Sequence, residues 1–177
     1  MLKAFALALI FGMAAPAQAQ DDWVKIRKEW NQPVAPFTIV GNVHYVGTAG
    51  IAAYLITTPE GHILIDGAME ESAGQVEANI EALGYKLADV KILLVNHAHW
   101  DHSGGLAELK RRTGARLFSS TGDKAGLEAG RLDYRPDLAA APSVKVDGLI
   151  RDGEKIRLGG TVLTTHLTPG HTKGCTS

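Results

Sequence analysis

Residues 96–105 read Asn-His-Ala-His-Trp-Asp-His-Ser-Gly-Gly, placing three of the chain's seven histidines (His97, His99, His102) and one aspartate, Asp101, within six positions. Neutral imidazole and carboxylate are ligands that Zn²⁺ accepts at ~2.0–2.2 Å. Their spacing divides them into two pairs. His97 and His99 are two apart, so an extended backbone projects both to one side, where they can chelate one ion. Asp101 and His102 are adjacent, need a turn to converge, and more naturally serve a second ion beside the first. Two metals ~3.5–4 Å apart form a hydrolytic arrangement, because an attacking hydroxide can be shared between them. The single cysteine, Cys175, can form no internal disulfide and no thiolate cluster. The site therefore rests on His, Asp and Glu.

The elements around this cluster are those needed to present it. It begins where an apolar strand, Val90–Val95, ends, and finishes where a short helix, Leu106–Arg112, begins. In α/β sheets, catalytic and binding groups collect beyond the carboxyl ends of strands. Gly104-Gly105 is read as allowing a tight turn into that helix. His171 lies in Thr168-Pro169-Gly170-His171-Thr172, a turn after the predicted strand Thr161–Leu167, and offers a third nitrogen to the His97/His99 pair. Asp66 ends the apolar run Ile63-Leu64-Ile65. It reads equally as an acceptor that orients a ligand histidine or as a turn-capping aspartate. His166, inside a strand, and His44 and His62, in hairpins, read as structural or solvent-facing.

The remaining chain completes an α/β domain. Trp23–Pro36 reads as a polar, proline-punctuated arm. Phe37–Val46 gives two short strands broken at Gly41-Asn42, and Ala52–Thr57 pairs with His62–Ile65 across Thr58-Pro59-Glu60-Gly61. Glu70–Leu83 is a helix, with Val76, Ile80 and Leu83 on one face and Gly84 closing it. Arg116–Phe118 is a strand, and Asp123–Ala140 a short helix and loop. Val144–Val146, Lys155–Leu158 and Thr161–Leu167 are strands, the last two joined at Gly159-Gly160.

Composition excludes several classes. The chain is 45% hydrophobic and 21% charged, which fits a globular domain rather than a disordered or multi-span membrane chain. A formal net charge of −1 provides no broad basic surface for nucleic acid. Lys3, the apolar run Ala4–Met13 and Ala17-Gln18-Ala19 have the layout of a signal peptide over residues 1–19, leaving 20–177 as the domain. The apolar run is too short for a ~20-residue membrane span. Export, most simply to a bacterial periplasm, is the expectation.

His97-Ala98-His99-Trp100-Asp101-His102 matches the His-x-His-x-Asp-His motif, and through it the chain resembles the metallo-β-lactamase superfamily. Val46–Gly50, Thr57–Gly67 and Leu167–Ser177 are similar to the third subclass of class B β-lactamases. The resemblance implies an αββα sandwich with two zinc ions: His97, His99 and His171 on the first, Asp101 and His102 on the second. It also implies hydrolysis of the β-lactam amide bond of a small-molecule substrate by a hydroxide generated at the metals, with Asp101 orienting it and relaying its proton. The alternatives are another hydrolase of the superfamily (a thioesterase resembling glyoxalase II, or a lactonase) or an inactive zinc-binding fragment. The family's remaining ligand, a histidine well downstream of the position His171 matches, has no counterpart in the six residues that follow His171. The second half of the sandwich is therefore expected to be incomplete here.

Overall fold

The computed structural model describes residues 17–177, with side chains from Trp23 onward. The signal peptide expected over residues 1–19 lies outside the described residues, except for the backbone of its last three, which opens helix α1 (Ala17–Trp30). No helix among the described residues is long and apolar enough to cross a membrane.

Four strands, β1 (Phe37–Val40), β2 (Val43–Tyr45), β3 (Tyr54–Thr58) and β4 (Gly61–Ile65), pair antiparallel in succession. β5 (Val90–Leu94), β6 (Arg116–Ser120) and β7 (Gly148–Ile150) then add parallel to β4. The seven strands form one sheet in chain order. Parallel neighbours require crossovers. These are α2 (Ala73–Ala82) between β4 and β5, α3 (Trp100–Ser103) and α4 (Leu106–Thr113) between β5 and β6, and α5 (Thr121–Ala129) between β6 and β7. As a result β4, β5 and β6 release their carboxyl ends at one edge of the sheet, and every loop that follows starts there.

Side-chain alternation along the strands builds two cores. On one face Leu55, Leu64, Leu93 and Leu117 pack against Val76 and Ile80 of α2, Leu106 and Leu109 of α4, and Leu127 of α5. Each such leucine contributes about 1.5–3 kcal/mol through burial. On the other face their immediate chain neighbours Ile56, Ile63 and Leu94 meet Ile150, Ile156 and Leu163. The last two belong to a separate hairpin, β8 (Lys155–Leu158) and β9 (Thr161–Thr164). Helices, large sheet and small sheet are three of the four layers of an αββα sandwich among the described residues. An apolar groove between the two sheets is lined by Tyr54, Ile65, Leu94, Val162 and Leu163.

The structure corrects several expectations. Val144–Val146 is not a strand. Its side chains do turn into the helical core, but Val144 N–H donates to Leu127 O (3.0 Å) and Val146 N–H to the Glu128 carboxylate (3.2 Å), so the end of α5 takes the bonds a neighbouring strand would need. The parallel strand comes two residues later, as β7. Most of the supposed N-terminal arm is helical, up to Trp30. The Glu70–Leu83 helix divides into a 3₁₀ turn, Glu70–Ser72, and α2. β9 stops at Thr164 because the chain beyond it pairs with the C-terminal residues: His166 N–H donates to Ser177 O, and Ser177 N–H to His166 O, both at 2.8 Å.

Candidate metal centre

The predicted site residues assemble at the shared strand edge. Past β5, the backbone is extended at His99 (φ −78°, ψ 150°) and then winds directly into α3. His102 N–H and Ser103 N–H both donate to His99 O, at 3.0 and 2.8 Å. The turn that adjacent Asp101 and His102 require is thus one short helix lying inside the motif.

Three imidazoles close a triangle. Ring centroids are 4.7 Å apart for His97–His99, 4.6 Å for His97–His171 and 4.5 Å for His99–His171. One ligand atom from each lies within 4.8 Å of the others. The same holds for His97, Asp101 and His102, with the His97 and His102 rings 4.0 Å apart. His97 therefore borders both groups, although spacing alone assigned it to one. Cys175 is buried and joins neither group.

The donor set fits a cation. His97 Nε2 and His99 Nε2 are buried with no hydrogen-bond partner. Leaving such an atom unsatisfied costs about 1–3 kcal/mol, and native proteins rarely tolerate it without a reason. On His97 the other ring nitrogen is engaged: Nδ1 lies 2.7 Å from Asn96 Oδ1. That bond aims Nε2 inward, as the outer nitrogen of a metal-binding histidine commonly does. A divalent metal ion would satisfy both buried lone pairs.

The electrostatics separate the histidines. Burial, followed by the repulsion of His102, His99 and His171, pulls His97 down to about 3. Burial also lowers His99, with His171 next in importance. Both are therefore neutral and ready to ligate at ordinary pH. His102 moves the other way. Burial lowers it, but the hydrogen bond and charge of Asp66, together with Asp101, outweigh that and raise it.

The Asp66 carboxylate reaches across to the His-rich segment. Oδ2 accepts from His102 Nδ1 at 2.8 Å and Oδ1 from Asn96 N–H at 2.7 Å, so it braces residues 96–102 rather than capping its own turn. To do so it adopts a left-handed backbone, φ 66°, and Ala68 follows at φ 55°. Conformations of this kind cost about 1–3 kcal/mol each and persist only where surrounding structure imposes them. Here Gly67 N–H donates to His102 O (2.8 Å), and Gly105 N–H to Ala68 O (3.2 Å). A Cβ on Gly105 would overlap Gly67 O. Gly105 itself is ordinary right-handed backbone (φ −78°, ψ −11°), so glycine is needed there for space, not for turning freedom as expected.

The other histidines lie elsewhere. His44 and His62 are buried against Tyr85, and His44 bridges the Thr38 and Thr57 hydroxyls at 2.9 and 3.2 Å. They are structural and not solvent-facing. His166 is exposed. Sequence reasoning missed Asn96 and Asp123. Each was discoverable as a polar residue just past the carboxyl end of a strand, β5 and β6 respectively.

Residues 46–177 match the Metallo-beta-lactamase superfamily. Among solved structures the chain is similar to BJP-1, a subclass B3 metallo-β-lactamase of Bradyrhizobium japonicum, at 48% identity and a TM-score of 0.80, covering 85% of this chain and 58% of that one. It is also similar to FEZ-1 of Legionella gormanii, at 43% identity and a TM-score of 0.79, covering 82% and 57%. Among curated proteins it is 36% identical over 99 residues to a hydroxyacylglutathione hydrolase of Methylobacterium nodulans, covering 56% of this chain and 31% of that protein. The chain thus spans under three fifths of these solved relatives and about a third of the curated one. On motif, geometry and extent of match, the chain belongs to the metallo-β-lactamase superfamily.

Proposed function

We propose that this protein is a zinc-dependent hydrolase that opens the amide bond of β-lactams, acting after export to the periplasm and so conferring antibiotic resistance. The observation that carries the hydrolase reading is the pair of buried, unpartnered Nε2 atoms on His97 and His99, faced by His171. In this reading His97, His99 and His171 hold one zinc, and Asp101 and His102 hold a second. Bound there, zinc supplies Lewis acidity that polarises a substrate carbonyl and makes water acidic enough to attack at neutral pH. The rest is the work of side chains. Asp66 fixes the His102 ring, Asn96 fixes His97, and the partly exposed Asp101 carboxylate is the base that takes the proton of the attacking water. No serine nucleophile is needed.

The choice of a β-lactam rests on similarity to the subclass B3 enzymes at 43–48% identity. Thioester hydrolysis is the second reading, favoured by the curated hydroxyacylglutathione hydrolases at 32–37% identity. The deciding experiment offers the zinc-loaded protein penicillins, cephalosporins, carbapenems and a glutathione thioester. Lactam turnover that a chelator abolishes supports the proposal. Thioester cleavage with no lactam turnover transfers the assignment to the second reading.

A further inference from the structure

Asp123 lies in the first turn of α5 and is 1% exposed. Three donors converge on its carboxylate. Ala98 N–H and the Thr172 hydroxyl reach Oδ2 at 2.9 and 2.8 Å, and Gly174 N–H reaches Oδ1 at 3.0 Å. Ala98 stands between His97 and His99, and Thr172 directly follows His171. One buried side chain thus touches the backbone or neighbour of every imidazole in the triangle, although the two segments it joins are more than seventy residues apart in the chain.

We propose that Asp123 is a positioning residue that locks the His171 loop against the His97–His99 segment and so sets the geometry of the three-histidine site. The inference rests on the metal-centre reading above. His171 is the exposed member of the triangle, so its place depends on how its loop is anchored. A second bond beside that anchor ties the same loop down: Ser120 Oγ, from the residue just before α5, donates to Gly174 O at 2.6 Å. Charge supports the same role. A buried carboxylate without a cationic partner is costly, and no lysine or arginine among the described residues pairs with Asp123. A cation held by the adjacent histidines would supply the missing complement.

The test is cobalt(II) titration of the full chain and of its Asp123→Asn, Asp123→Ala and Thr172→Val variants. Affinity is read by chelator competition, and the visible spectrum is read at saturating metal. Asparagine keeps an oxygen for Ala98 and Thr172 but turns an amide N–H toward Gly174 N–H. Removing partners that orient ligands costs about 10–100-fold in metal affinity. The expected order of loss is Asp123→Ala, then Asp123→Asn, then Thr172→Val, with an altered spectrum in the two Asp123 variants. A contribution to stability alone lowers the melting temperature of the metal-free protein and leaves the saturated spectrum unchanged; that result overturns the proposal. If Asp123→Ala does not fold, the two milder variants carry the comparison. If the unaltered chain takes up no cobalt, the metal-centre reading fails, and the proposal with it.

Discussion

The Asp66 carboxylate and the His102 imidazole are joined by a 2.8 Å hydrogen bond between Oδ2 and Nδ1, made from a strand end whose backbone is left-handed. The bond fixes which ring nitrogen faces the site: Nε2 is left on the side of Asp101, 3.7 Å from its carboxylate. Asp66→Asn should weaken metal binding by the Asp101/His102 group by about 10–100-fold. NMR titration of the metal-free variant should show His102 falling from its raised pKa, since both the bond and the charge that raise it are reduced.

Acid should destabilise the metal-free protein. His97, His99 and His44 all have lowered pKa values in the fold, so below about 6.5 the unfolded chain binds protons that the folded chain refuses. Their stability contribution is full above 6.5 and lost as pH falls toward the folded values. His102 has the opposite sign: its contribution is full below 6.5 and lost as pH rises through its raised value. His97 alone costs about 2 kcal/mol at pH 5. Thermal melts at pH 7.5 and pH 5, followed by tryptophan fluorescence, should show the lower melting temperature at pH 5.

Gly105→Ala should destabilise the fold although it places a good helix former beside a helix. The added methyl meets Gly67 O, in backbone that cannot retreat without moving Asp66. A cost of about 1–3 kcal/mol is expected for overpacking of this kind. Denaturant unfolding of the metal-free variant measures it, and a metal titration should show loosened binding in the same protein.

Trp100 stands between His99 and Asp101 and points away from the metal centre into α1. It stacks on Trp30 (centroids 6.4 Å apart, planes 10° apart), meets Trp23 edge-on at 5.5 Å, and lies under the Arg27 guanidinium at 4.7 Å. Arg27 is in turn paired with Glu71 at 2.9 Å. Trp100→Ala should cost about 3–5 kcal/mol. Arg27→Ala should cost about 0.5–1 kcal/mol through the lost contact with the ring. Chemical denaturation of the two variants should preserve that order.

The site was legible in the sequence to the extent that its parts were contiguous. His97, His99, Asp101 and His102 sit in one short segment, and an apolar strand before it announces the edge from which it projects. His171 was reached because it too follows a strand. What escaped depends on contacts made across the fold. Asp123 resembles any acidic residue in a first helical turn until the Ala98 and Thr172 loops close over it. Val144 and Val146 alternate like a strand, but α5 captures their backbone N–H groups. Gly104-Gly105 suggests turning freedom, whereas Gly105 is needed because two chain segments touch. The first part of Trp23–Pro36 looked like a polar arm because Trp23 and Trp30 complete their aromatic cluster with Trp100, far along the chain in the His-rich segment.

In the proposed site, three histidines from two distant segments hold one metal ion. X-ray absorption at the zinc edge, on the protein loaded with one zinc equivalent, tests this most directly. Three imidazole nitrogens at ~2.0–2.1 Å are expected around the zinc, reduced by one in His171→Ala. A sulfur scatterer at ~2.3 Å from Cys175, or a shell unchanged in His171→Ala, would contradict it.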